Sequence, residues 1–447
     1  MNLFKLAWKN ITHNPLSLLL NMVLLTLGIG LISFILSVNT QLKDKFEKNL
    51  ADIDLVIGAK GSPLQLILSS MYHIDAPTGN ISIDEAKPFL REGHPLIKRS
   101  VPLSMGDSYK GYRIVGTDHS ILELYDAKAS EGRLWSNLLE VTIGSVVASN
   151  LDLGLGAKFQ SSHGFNDDED LEHEHGTFVV VGILEPTGSV IDQLILCNTE
   201  SVWEVHDHHE EAESAEEEDH SHDDHEEHDH EHEHDHAGHE HSEYEHDNHD
   251  HRNDMSRSHL LEHGEKEITS ILVQYTSKTN FQALSMPRNI NENTDLQAAS
   301  PAYEINRLYD MMGTGTRALQ LIAVLIAIVS AISIFVSLLN SLKQRKYELS
   351  LMRVLGGKAR TLLSLILLEG IIMSLLGFVL GILASQLSMA AMAGSLADRY
   401  NYEFSSWQWH GSEWYLLAAS VGIGFQAAVL PALMAYNTDI HENLSDA

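Results

Sequence analysis

The 447-residue chain has a single cysteine, Cys197, so it can form neither an intramolecular disulfide nor a thiolate metal cluster. Basic residues are scarce, with 29 Lys and Arg against 62 Asp and Glu. No basic face large enough for a polyanion can be assembled from them, which excludes nucleic acid as a partner. No G-x-x-x-x-G-K-[ST] loop is present, because Gly356-Gly357-Lys358 has the wrong continuation; H-E-x-x-H, G-x-S-x-G and C-x-x-C are absent as well. The chain therefore has no visible means of hydrolysing ATP or of catalysing a covalent step. Any work it does must be energised by another molecule.

What is abundant is histidine beside carboxylate. The net charge of −33 is unevenly spread. Residues His206 to His251 hold 16 histidines and 21 acidic residues with no Lys or Arg, which leaves −12 for the rest of the chain. From His228 to His236 imidazole and carboxylate alternate with period two. Neutral imidazole suits Zn, Cu, Ni and Fe, and a carboxylate can complete the shell. The candidate ligands are His220, His222, His225, His228, His230, His232, His234, His236, His239 and His241. A tract this dense offers four ligands in many registers without a fold, so Zn²⁺ or another divalent transition metal is the expected ligand, and no cofactor is required. Such low hydrophobicity cannot offset ordering entropy, so residues 206–263 are expected to be a disordered insertion in a folded domain. A shorter echo, His163 to His175, has three histidines and six acids; it suits a second metal-touching loop or an ordinary acidic hairpin loop equally.

Four apolar runs set the class. Leu16–Val38, Ala318–Leu339 and Trp414–Met434 carry no charge, and Leu362–Leu383 carries one acid, Glu369. Each is long enough for a bilayer core of about 30 Å at about 1.5 Å per residue. The first run is too long for a signal peptide and no Ala-x-Ala site follows, so a retained helix is expected. Lys5 and Lys9 precede the first span; Lys343, Arg345, Lys346, Arg353, Lys358 and Arg360 lie between the second and third. These loops should be cytoplasmic, which puts both termini inside and residues from about 40 to 315 outside. Glu369, roughly two turns into the third span, would snorkel or pair with Arg360. Gly370-x-x-x-Ser374 and Gly377-x-x-x-Gly381 permit close helix approach, for which packing within the bundle is favoured over a dimer seam.

The fold class expected is an α-helical membrane protein with four transmembrane helices, one plus three, and a large α+β domain between the first and second. Its pieces are 1–40 (N-terminus and first span), 41–205 (first part of the outer domain), 206–263 (the insertion), 264–316 (second part and stalk) and 317–447 (three spans). Gln41–Leu50 should prolong the first helix as a stalk, and Ser300–Thr316 should mirror it before the second. Strands are expected at Ile53–Ile57, Tyr112–Val115, Val141–Val147, Phe178–Leu184, Leu194–Cys197 and Ile268–Tyr275, which are β-branched and bounded by turn residues.

At the cytoplasmic loop the sequence becomes family-like. Arg345 to Gly381 read RKYELSLMRVLGGKARTLLSLILLEGIIMSLLGFVLG: a basic-Tyr-Glu helix, then a span with Leu-Glu-Gly and a later Gly-x-x-x-Gly. This resembles the FtsX/MacB-type ABC transporter permeases, as do the N-terminal LAWKNITHNPLSLLL and Pro431-Ala432-Leu433-x-Ala435 near the end. The resemblance implies a bacterial inner-membrane permease subunit, acting as a pair of copies with a separate ABC ATPase, in contact with membrane lipids and a periplasmic metal-binding or envelope partner. It also implies a coupling helix near 345–356 that docks into the ATPase, in which Tyr347, Glu348, Leu351, Arg353, Leu355 and Gly356 make the contact. Asp54 to Gln65 and Pro102 to Thr117 look like a His-rich subgroup linked to zinc. Two other tasks fit the same resemblance: lipoprotein release or efflux with the tract as a passive metal buffer, and signalling to a periplasmic enzyme.

Overall fold

The structure, a computed structural model, describes residues 3–163, 172–205, 257–400, 407 and 411–437. The chain divides into two compact units, one of residues 1–45 and 307–447, the other of residues 46–306.

The first unit is helical. α1 (Leu3–His13) is amphipathic, burying Ala7, Asn10 and Ile11 at helical spacing. The helices that follow are α2 (Pro15–Leu50), α10 (Pro301–Gln344), α11 (Lys346–Val354), α12 (Ala359–Tyr400) and α13 (Ser412–Tyr436). α2, α10, α12 and α13 are long and apolar enough to cross a membrane. α2 and α10 are unbroken over 36 and 44 residues, so both expected stalk segments continue the helix of their span. At about 1.5 Å per residue each outreaches a bilayer core. α12 is the central helix: 61 % of its most apolar stretch is buried, against 22 % for α10. Its small residues explain this. A Cβ on Gly377 would lie 2.6 Å from Leu25 Cβ of α2, and one on Gly370 would lie 2.6 Å from the Gly424 carbonyl of α13. The small-residue motifs are thus used for packing within the chain. The shared core includes Ala7, Leu25, Ile29, Leu349, Leu362, Leu365, Ile366, Phe378 and Ala428.

The second unit is an α+β domain on one ten-stranded sheet. Its strands are β1 (Leu55–Ala59), β3 (Ile97–Tyr109), β4 (Tyr112–Thr117), β5 (Ala129–Gly132), β6 (Glu140–Ile143), β7 (Lys158–His163), β8 (Glu172–Leu184), β9 (Ile195–Cys197), β11 (Ser270–Tyr275) and β12 (Leu296–Ala299). The order is β12-β1-β11-β3-β4-β9-β6-β8-β5, with β7 bridging β3 and β8, and a minor ladder joins β2 (Ile81–Ser82) to β10 (Glu267–Ile268). Helices α3 (Pro63–Tyr72), α4 (Ile83–Leu90), α5 (Ser120–Leu124), α6 (Ser145–Leu151), α7 (199–205), α8 (Arg257–Leu260) and α9 (Phe281–Asn293) complete it. Local chemistry sets the helix starts. Ser62 caps α3 ahead of Pro63, and Ser82 with Glu85 forms a reciprocal capping box on α4. Two apolar clusters lie along the sheet, one around Leu55, Ile57, Ile271 and Val273, the other around Ile114, Val141, Phe178 and Ile195.

Two strand expectations shift, and four strands of the sheet, β3, β5, β7 and β12, were not expected. The first strand begins at Leu55 rather than Ile53, and the run from Val141 stops as a strand at Ile143, because Gly144 caps α6. Of the unexpected strands β3 is the longest and lies inside the sheet. IKRSVPLSMGDSY breaks alternation with Pro102 and Gly106, yet it is buried on both faces between β11 and β4. Within the expected insertion, Arg257–Leu260 form α8, and its Leu260 packs into the first of the two clusters.

Candidate functional site

α11 is short, KYELSLMRV, and joins α10 to α12. Its two faces differ. Leu349 is buried in the helical core, and Ser350 beside it is also covered. On the opposite face Tyr347, Leu351, Val354 and Leu355 are 52 %, 43 %, 59 % and 78 % exposed. They recur at i, i+4, i+7 and i+8, one stripe of a helix. This contiguous apolar stripe, flanked by the exposed Lys343, Lys346, Lys358 and Arg360, is left uncovered by the rest of the described chain. The expected docking residues Tyr347, Leu351 and Leu355 are together on it. Val354 also belongs to it, and its i+7 spacing from Tyr347 was the signal. Glu348 is exposed and paired with Arg345 at 3.2 Å, while Arg353 is half-buried off the stripe.

The helix is stopped by two glycines. Gly356 has φ +95°, a left-handed conformation that disfavours any side chain, and its N–H donates to the Arg353 carbonyl at 3.1 Å. The Gly357 N–H donates to the Met352 carbonyl at 2.9 Å. Leu355 therefore sits at a fixed corner, held out at the end of the stripe.

Behind α11 lies a polar chain with no sequence signal, because its members are hundreds of positions apart. Glu369 of α12 was expected to snorkel or to pair with Arg360; it is buried and accepts from Asn10 Nδ2 of α1 instead. Asn10 Oδ1 in turn accepts from Arg345 Nη2. Arg360 is exposed.

In the sheet domain the insertion leaves and re-enters at one place. Glu200 and Trp203 of α7 meet the returning chain: His259 Nδ1 and Glu200 Oε1 are 2.8 Å apart, and the rings of Trp203 and His263 are 6.0 Å apart. Arg257 is fixed by the Ser100 carbonyl and the Asp118 carboxylate. The expected metal ligands, His220, His222, His225, His228, His230, His232, His234, His236, His239 and His241, lie outside the described residues. So do residues 164–171 of the shorter echo, which join β7 to its antiparallel partner β8. Among the described residues no group of three or more His, Cys, Asp or Glu is placed to hold a metal ion.

One buried histidine stands apart. His73 follows α3 in a left-handed conformation, φ +52°, and its Nδ1 has no hydrogen-bond partner among the described residues. Burial, with the Arg113 guanidinium adding to it, pushes its pKa down to about 3, so it is neutral at any physiological pH. Cys197 is buried, and burial first, then the Asp107 carboxylate, raises its pKa, which makes it an inert thiol.

Comparison with known families matches this arrangement piece by piece. The family model for the FtsX-like permease C-terminal region matches residues 321–440, from within α10 through α11 and α12 to just past α13. The family model for the MacB-like periplasmic core domain matches residues 18–214, covering most of α2, the first part of the sheet domain and the first nine residues of the insertion. No curated protein matches the chain. Four apolar helices in a one-plus-three order, a large α+β domain after the first, and both family matches in register with them lead to one assignment: the chain belongs to the FtsX/MacB-type ABC transporter permeases.

Proposed function

We propose that this chain is the permease subunit of an inner-membrane ABC complex in which a separate ATPase docks on α11 and the sheet domain does mechanical work in the periplasm. The observation that carries this reading is the open stripe Tyr347, Leu351, Val354 and Leu355 on a helix whose other face is built into the bundle. A helix fixed on one side and apolar on the other is suited to entering a partner's groove. The chain itself has no nucleotide-binding loop, so hydrolysis falls to the partner. ATPase closure displaces α11, and the unbroken α2 and α10 carry the motion onward as rods. The positive-inside distribution of Lys and Arg supports a cytoplasmic place for α11 and both termini. Two copies of the chain act with two ATPases. The test is the double variant Leu351→Asp/Leu355→Asp, co-expressed with the ATPase. Together the two side chains expose roughly one leucine of apolar surface, so their loss costs about 2–3 kcal/mol at the interface before any cost of burying carboxylate. That is on the order of 100-fold in affinity. Capture of the ATPase at wild-type yield would sink the docking assignment.

The task of the complex is handling zinc or a similar divalent metal, gathered by the 16 histidines of His206 to His251 on the periplasmic side. Support comes from the chemistry of the tract, since closely spaced imidazoles and carboxylates supply Zn²⁺ ligands without needing a fold. Coordination needs neutral imidazole, so affinity should fall as pH drops below about 6.5. Zinc titration of the purified chain with and without residues 206–256 tests it, and equal stoichiometry in the two refutes it.

A further inference from the structure

The polar chain behind α11 does more than fill space. Asn10 and Glu369 are 6 % and 5 % exposed, among Ala7, Ile11, Leu362, Leu365 and Ile366 of the bundle core. A carboxyl group in such surroundings needs partners. Asn10 supplies one through Nδ2, and its Oδ1 takes the Arg345 guanidinium. The amide can serve both only one way round: turned over, it would present a donor to a cation and an acceptor to a carboxyl oxygen. Aspartate at position 10 would set an anion against Glu369, and an apolar residue would leave both ends unsatisfied.

Arg345 stands at the bend between α10 and α11. Its backbone N–H ends α10 on the Ser341 and Leu342 carbonyls at 3.2 and 3.3 Å, and its carbonyl accepts from Leu349 N–H at 3.0 Å to begin α11. Its Nε donates to Glu348 Oε2 on α11 at 3.2 Å. Beside the bend, Asn14 Nδ2 donates to Gln344 Oε1 at 3.2 Å. Four elements therefore converge on one amide: α11 and the end of α10 through Arg345, α1 through Asn10 itself, and α12 through Glu369.

We propose that Asn10 is a positioning residue that locks the coupling helix to the central span, so that a displacement of α11 reaches α12 instead of being absorbed at the α10–α11 bend. The inference rests on the reading of α11 as the ATPase-docking helix. Its test is the full chain with its ATPase in lipid nanodiscs, comparing wild type with Asn10→Leu/Glu369→Leu. The double variant strands no buried polar group, and removing both partners of a buried polar contact is often tolerated. Arg345, part-exposed and paired with Glu348, can reach water.

Hydrogen exchange reads two things separately. Protection of residues 346–354 on adding the ATPase reports docking. The change across α12 on adding ATP and vanadate reports transmission. The expected result is at least tenfold protection of α11 in both proteins, with an α12 response of at least threefold in wild type that falls below 1.5-fold in the double variant. Glu369→Gln, which keeps the acceptor for Asn10, should retain the response. If α11 is not protected in wild type, the docking reading fails and this linkage with it. If α11 is protected but the double variant responds as wild type does, or wild type shows no α12 response, docking stands and the linkage is overturned.

Discussion

Two glycines on α13 stand two residues apart and make opposite predictions. A Cβ on Gly424 would collide with Ser374 Oγ and lie 2.6 Å from the Gly370 carbonyl oxygen of α12, whereas a Cβ on Gly422 would meet nothing within 4 Å. The serine hydroxyl can rotate away. The carbonyl belongs to a helix backbone and cannot, so Gly424→Ala must push α12 and α13 apart along the most extensive seam of the bundle. Overpacking of this kind costs about 1–3 kcal/mol. Gly422→Ala has no such cost and gains helix propensity, at most about 1 kcal/mol. The two variants, equal in composition, should differ by roughly 2–3 kcal/mol. Unfolding of the purified chain in mixed micelles, followed by the Trp414 environment and far-ultraviolet dichroism, measures it. Equal stability of the two alanine variants would refute the packing argument. Wild-type stability of Gly424→Ala with dissociation of an oligomer would move the small-residue motif to an interface between copies.

Excision of residues 206–256, closed with a short Gly-Ser linker, should leave stability unchanged or raise it by up to about 2 kcal/mol through a shorter loop; extending the excision to 263 should destabilise the domain, since it removes Arg257 and buried Leu260, and a thermal-melt series separates the two. His73 stays neutral in the fold down to about pH 3, while in the unfolded chain it takes up a proton near pH 6.5. The unfolded state therefore binds more protons between these values, so stability falls as pH drops below about 6.5, by about 2 kcal/mol at pH 5. His73→Asn, which tolerates the left-handed backbone, should flatten that dependence; an unchanged slope would show that the histidine is not responsible. Gly356→Ala, forced to φ +95°, should cost about 1–3 kcal/mol and fray α11, visible as faster exchange of residues 346–354.

The helical half was the more legible because its signals are local. Uncharged runs, the basic loop and the family-like stretch Arg345 to Gly381 each sit within one window. The family resemblance pointed to Tyr347, Leu351 and Leu355, and the structure puts them on one stripe, adds Val354 and buries Leu349 on the other face. Glu369 marked itself as odd by being an acid in a span, yet its partner could not be read, since Asn10 is 359 positions away and the nearer Arg360 was the local choice. The sheet domain was legible in six of its strands, and not at its edges, β12 and β5, nor at β3 and β7. β3 carries Pro102 and Gly106 and lacks alternation because both its faces are covered, so burial by β11 and β4, the former arriving from beyond the insertion, overrides its local preference. The return of the chain at Arg257 was hidden by charge: RSHL reads as more of the polar tract until Leu260 is seen in the core.

The central claim is that α11 is the face on which an ABC ATPase sits. A photo-crosslinking amino acid placed singly at Leu355, Leu351 and Leu349, in cells expressing the chain with its ATPase, tests it most directly. The account predicts adducts to the ATPase from positions 355 and 351, which are open, and none from position 349, which is built into the bundle. Adducts from Leu349 alone, or from none of the three while the ATPase still co-purifies, would contradict it.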